Sequence, residues 1–157
     1  MLSNTIRTDI NQEQSSSKAF SEYLKGSEIY RDAIIVPEPD YLLESLPYYA
    51  SNPLYFPREH RFGTIVFFTT DADYHLSLGE LLSVAREIKT RYSQPVLIVL
   101  GHWDLDPHKA GEKYYSYNKI FSWSVNEFVD FNESTKLVAQ FKSAYTDENY
   151  QVYVVIK

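Results

Sequence analysis

The chain has 157 residues, 44% of them hydrophobic and 23% charged, which suits one globular domain with a single core and excludes a wholly disordered or fibrous protein. Fifteen Lys and Arg against 21 Asp and Glu leave a net charge of -6, the wrong sign for holding a phosphate backbone by counterion release, so nucleic acid is not expected as a partner. The absence of cysteine removes thiolate metal sites, cysteine nucleophiles and disulfide frameworks together.

Residues 1–17 are polar and end in three serines, so they are expected to form a flexible lead-in, with a single domain over 18–157. Ala19, Phe20, Tyr23 and Leu24 share one helical face, with Ser17 placed to cap and Gly26 placed to end the helix in a left-handed conformation. Ala33–Val36 reads as a buried strand opening into a turn at Pro37 and Pro39. Leu42, Leu43 and Leu46 then predict a short helix capped by Asp40 and stopped by Pro47 or soon after it, and Leu54–Phe56 a short strand near an edge.

Thr64–Thr69 is the most β-branched and aromatic run and is predicted as a strand. Ser77 and Glu80 form a capping box, Leu76 and Leu81 a hydrophobic staple, and Leu78, Leu81, Leu82, Ala85, Ile88 and Tyr92 an apolar stripe, which predicts a helix to Tyr92. Val96–Leu100 is a strand apolar enough to be buried on both faces, and a strand–helix–strand crossover of this length implies parallel pairing. The tyrosine-rich 113–118 segment reads as a connection, Ser124 and Glu127 as a second capping box, and 137–145 with 150–156 as an antiparallel hairpin. The predicted fold is a three-layer, Rossmann-like α/β domain with a mainly parallel sheet and a C-terminal antiparallel hairpin.

Three segments could carry chemistry. Glu38 and Asp40 follow the first buried strand, where open α/β sheets place ligands, and could bind a hydroxyl, a cation or a sugar, although Asp40 also explains itself as a cap. Arg58, His60 and Arg61 lie in a charged bend whose guanidinium groups could fork onto a phosphate or carboxylate. His102, Asp104, Asp106 and His108 follow the second buried strand with metal-ligand residue types, though not in a recognised metal motif, and no metal or cofactor is expected. Neither GxGxxG, GxxxxGK[ST] nor GxSxG occurs, so dinucleotide, P-loop and nucleophile-elbow chemistry lack their frameworks and no catalytic residue is assigned.

Aromatic residues are abundant, with 14 Tyr and 9 Phe, a composition that suits sugar-facing or membrane-interface surfaces as well as half-buried strands. No apolar stretch reaches the roughly 18 residues of a membrane span, so the chain as written is expected to be soluble. The N-terminus lacks the apolar core of a secretory signal, which places an intact product starting at Met1 in the cytoplasm.

In order, the segments 18–25, 32–41, 45–49, 52–56 and 147–153 resemble the soluble C-terminal domain of polytopic membrane glycosyltransferases. These are the dolichyl-phosphate-mannose-protein mannosyltransferase-like enzymes, relatives of the lipid A aminoarabinose transferase. The resemblance implies a periplasmic or otherwise extracytoplasmic accessory domain whose partners are the membrane-embedded part of the same parent protein and a lipid-linked sugar or glycan acceptor. It also implies that the catalytic carboxylate lies in a loop between membrane spans outside this sequence. The competing reading is a freestanding α/β enzyme or ligand-binding protein in which Glu38, Asp40, Arg58, His60, His102 and Asp104 line one cleft. A third is an interaction module whose terminal hairpin edge pairs with a partner strand.

Overall fold

A computed structural model describes residues 16–101, 105–142 and 149–157. Helix α1 (Ser17–Gly26) buries Phe20 and Leu24 and ends without a left-handed glycine: Ser27 is extended and its N–H bonds the Leu24 carbonyl at 3.2 Å. Strand β1 (Ile34–Glu38) is buried at every position, as its apolar run predicts. The helix expected after Asp40 is instead two 3₁₀ turns, Asp40–Leu43 and Leu46–Tyr48, with Pro47 inside the second rather than beyond it. Leu42, Leu43 and Leu46, an i, i+1, i+4 set spread over the two turns, are all still buried.

Strand β2 (Leu54–Phe56) leads through the turn Pro57–Glu59 into β3 (Arg61–Gly63). The strand predicted over Thr64–Thr69 does not form. Its backbone donors go to side chains: the Val66 N–H to a Glu44 carboxylate oxygen at 3.0 Å, and the Phe67 and Phe68 N–H groups to Glu59 Oε1 at 2.7 and 3.2 Å. Donors already satisfied by carboxylates need no ladder. A short strand, β4 (His75–Ser77), then enters α2 (Leu78–Tyr92), whose Ser77–Glu80 capping box is complete. Tyr92, expected in the apolar stripe, is exposed and rests edge-on against Phe62.

Strand β5 (Val96–Gly101) is wholly buried. The tyrosine-rich connection is itself a hairpin, β6 (Lys113–Ser116) and β7 (Lys119–Ser122), turning at Tyr117 with φ 53°. Helix α3 (Val125–Ser134) carries the second complete capping box, and β8 (Thr135–Phe141) with β9 (Tyr150–Val155) form the expected antiparallel hairpin.

The sheet order corrects the Rossmann-like expectation. Six strands run β3-β2-β1-β5-β9-β8, with β1–β2 and β1–β5 parallel and β2–β3, β5–β9 and β9–β8 antiparallel; a separate three-stranded sheet runs β4-β7-β6. The fold is therefore mixed α/β and not mainly parallel. Two features overturn the expectation: the terminal hairpin inserts beside β5 with β9 innermost, and β2 turns back at once into β3.

The central strands divide their side chains between two cores. Ile34, Val36, Val96, Ile98 and Leu100 pack with α2, Phe121, Trp123 and Phe131, while Ile35, Leu97 and Val99 pack with Phe20, Leu24 and the 3₁₀ turns. Glycine is needed at the end of β5, where a Cβ on Gly101 would stand 2.6 Å from Leu42 Cδ2.

Glu127 ties the two capping boxes together. Burial acts to raise its carboxyl, but hydrogen bonds from Ser77, from the Ser124 N–H and hydroxyl and from the Gly79 N–H outweigh it, so its pKa lies below the usual carboxylate range. A folded-state pKa below the unfolded one contributes stability above the unfolded value, about 4.3, and loses it as pH falls through the folded one. Glu127→Gln should therefore cost about 1 kcal/mol at pH 7. In urea unfolding the gap from wild type should narrow by pH 3; a gap constant with pH would contradict the assignment.

Candidate functional site

Glu38 and Asp40 stand at the C-terminal end of β1, and the fold brings a cation to each. Arg58, from the turn after β2, reaches back to Glu38 in a forked pair, Nε to Oε2 at 3.0 Å and Nη2 to Oε1 at 2.6 Å. Nη1 donates to the carbonyls of Asp73 and Tyr74 at 2.9 and 3.0 Å, and Nη2 also to the carbonyl of Ile120 at 2.9 Å. A guanidinium has five N–H donors, and these five bonds use them all. The pair is dry, with both side chains 1% exposed.

Burial raises the Glu38 carboxyl above its ordinary value against the pull of Arg58, while Asp40 adds to the rise and Lys119 opposes it. Asp40 has no exposure; its Oδ2 takes Lys119 Nζ at 2.5 Å and its Oδ1 the Tyr41 N–H at 3.0 Å. The predicted helix cap is thus replaced by a charge pair and a local turn contact.

Lys119 belongs to β7, and Arg58 donates to the carbonyl of its neighbour Ile120, so each ion pair is tied to the small sheet. The position that an open α/β sheet would offer to a ligand is filled by the protein's own second sheet. Lys119 escaped the sequence reading, although alternation along β7 places it inward with Phe121. A lysine in phase with a buried phenylalanine was the available signal.

His60 does not join this cluster. It sits at φ 49°, points outward and pairs with Asp73 Oδ2 at 2.7 Å, with side chains 59% and 48% exposed. His102 and Asp104 lie outside the described residues. Of their neighbours, Asp106 accepts the His108 N–H to close the turn Pro107–Lys109, and its carbonyl receives the Trp123 indole N–H at 2.9 Å. Among the described residues no group of three or more His, Asp or Glu could hold a metal ion, and no helix is long and apolar enough to cross a membrane.

The second feature is the loop after β3. Glu59, with a side chain 3% exposed, receives two loop N–H groups and pairs with Arg61, whose guanidinium lies over the Phe67 ring at 3.6 Å and donates to the Ile65 carbonyl at 2.7 Å. Phe68 is held at φ 51°, a conformation that costs a bulky residue roughly 1–2 kcal/mol. The result is outward display: Ile65, Phe67 and Phe68 are 55%, 58% and 57% exposed.

Comparison of the chain with protein families, with curated proteins and with solved structures finds no match.

Proposed function

We propose that this chain is a noncatalytic accessory domain, acting in docking or scaffolding on the extracytoplasmic side of a membrane-bound sugar transferase. The observation that carries the noncatalytic part is the exhausted guanidinium of Arg58: with every donor committed inside the protein, the strongest anion-binding group of the candidate site has none left for a phosphate or carboxylate. Glu38 and Asp40 are likewise neutralised by internal cations and closed to solvent, so neither is poised to accept a substrate proton. The transferase part rests on the order of sequence segments from Lys18 to Tyr153. Its partners in this reading are the membrane-embedded part of the parent enzyme and a lipid-linked sugar or glycan acceptor.

The edge of the terminal hairpin is a weaker docking element. A bulge between Leu137 and Ala139 interrupts the β8 register, a device that blunts strand addition.

The test is to incubate the isolated chain with nucleotide-sugars and lipid-linked sugars and to titrate it with sugar phosphates and divalent metals by calorimetry. The expected result is no turnover and no saturable heat, with co-elution of the chain and the detergent-solubilised membrane part of the transferase. Turnover by the chain alone, or saturable binding weakened by His102→Ala, would establish the freestanding ligand-binding reading instead.

A further inference from the structure

We infer that the loop over residues 64–69 is a membrane-surface wedge that seats its apolar side chains in the interface of an electrically neutral bilayer. The inference rests on the placement at a membrane face proposed above, and it names the surface that makes the contact.

The loop is built to hold its shape. Three consecutive N–H groups, those of Val66, Phe67 and Phe68, are taken by the Glu44 and Glu59 carboxylates, and Arg61 fixes the Ile65 carbonyl from below. The backbone carries a phenylalanine at φ 51° rather than letting Phe68 turn inward, and strain of this kind persists only where surrounding contacts over-determine it. Such a framework displays Ile65, Phe67 and Phe68 instead of burying them. These three amides are already satisfied, so entry of the loop into an interface leaves them with partners.

Area and charge choose the occupant. An aromatic side chain offers about 150–250 Å², so two phenylalanines and one isoleucine a little over half exposed present roughly 300 Å². A stable protein–protein contact needs about 800 Å² from each partner, whereas a few apolar side chains suffice for shallow seating in a bilayer interface. The chain carries a net charge of -6, and Asp71 and Asp73 follow the loop directly, so anionic lipid would repel it. That favours a zwitterionic surface over the basic, acid-lipid-seeking type of peripheral contact.

Co-sedimentation with pure phosphatidylcholine vesicles tests this. The wild-type chain should sediment with the vesicles, Phe67→Ser with Phe68→Ser should lower partitioning at least tenfold, and added phosphatidylserine should weaken binding. Phe68→Gly gives a second variant that relieves the strained φ, folds without loss and still binds less. Ile29→Ser removes a residue 66% exposed on the turn before β1, at the strand end away from Asp40 and Lys119, and should bind as wild type. Vesicle binding unchanged in the double serine variant, binding that requires anionic lipid, or no binding by the wild type would overturn the inference. So would a concentration-dependent dimer that the serine substitutions abolish in the absence of vesicle binding, which would assign the patch to a second copy. Failure to co-elute with a transferase, with vesicle binding intact, would remove the accessory role and leave the wedge standing; co-elution without vesicle binding would do the reverse.

Discussion

Arg58→Ala should lower the unfolding free energy by about 3–5 kcal/mol, a large part of the 5–15 kcal/mol that an ordinary domain possesses. The reason lies in what the substitution leaves behind. Glu38 remains fully buried without its forked partner, and the carbonyls of Asp73, Tyr74 and Ile120 lose their donor. Burial already lifts the Glu38 carboxyl, and removing the guanidinium takes away the largest opposing influence. The folded pKa then stands further above the unfolded one, so the loss is smallest near the unfolded value of about 4.3 and grows as pH rises towards the folded value. Urea unfolding of Arg58→Ala at pH 5 and pH 8 should show the larger deficit at pH 8. Adding Glu38→Gln should flatten that dependence and restore part of the stability, the remainder belonging to the three carbonyls. A deficit under about 1 kcal/mol, or one insensitive to pH, would mean that water enters the cluster and screens it.

The same cluster shows how far the sequence was legible. Glu38, Asp40 and Arg58 stand out in the sequence because charges beside a buried strand are unusual wherever they point. Their direction was not readable: whether a carboxylate at a strand end faces a ligand or a lysine 79 residues away depends on where β7 packs. The capping boxes at Ser77 and Ser124 were readable because donor and acceptor lie three residues apart and need no tertiary information. The 64–69 run misled for the opposite reason. Its residues favour a strand, but a strand needs a neighbour, and the carboxylates of Glu44 and Glu59, distant in sequence from one another, supplied its acceptors first. The placement of β9 beside β5 is hidden in the same way, since the continuous apolar run of β5 is compatible with a parallel or an antiparallel neighbour.

These two outcomes bear on function together. Charges that looked available are committed inside the fold, and apolar side chains that looked like core are presented to solvent. An enzyme site concentrates available polar groups in a recess; here Glu38, Asp40 and Arg58 are committed to internal partners, and Ile65, Phe67 and Phe68 are displayed on a fixed loop. That distribution supports the docking role proposed above.

Lys119→Met separates the interior from the surface. Met keeps the length and packing of the stem but leaves the fully buried Asp40 with the Tyr41 N–H and no cation, which should cost about 3 kcal/mol in thermal or chemical unfolding. Asp40→Asn in the same chain should recover most of that loss, because a neutral amide needs no counter-charge in the interior. Lys119 Nζ also stands 5.1 Å over the Phe68 ring, so the substitution removes one cation–π contact from the loop. The loop's N–H groups are held by Glu44 and Glu59 instead, so Lys119→Met should leave amide exchange at Phe67 and Phe68 and binding to phosphatidylcholine vesicles near wild type at temperatures where the chain is folded. Vesicle binding lost in step with stability would show that the interior ion pair sets the loop's shape, and that the two sheets must be stapled together before the wedge can form.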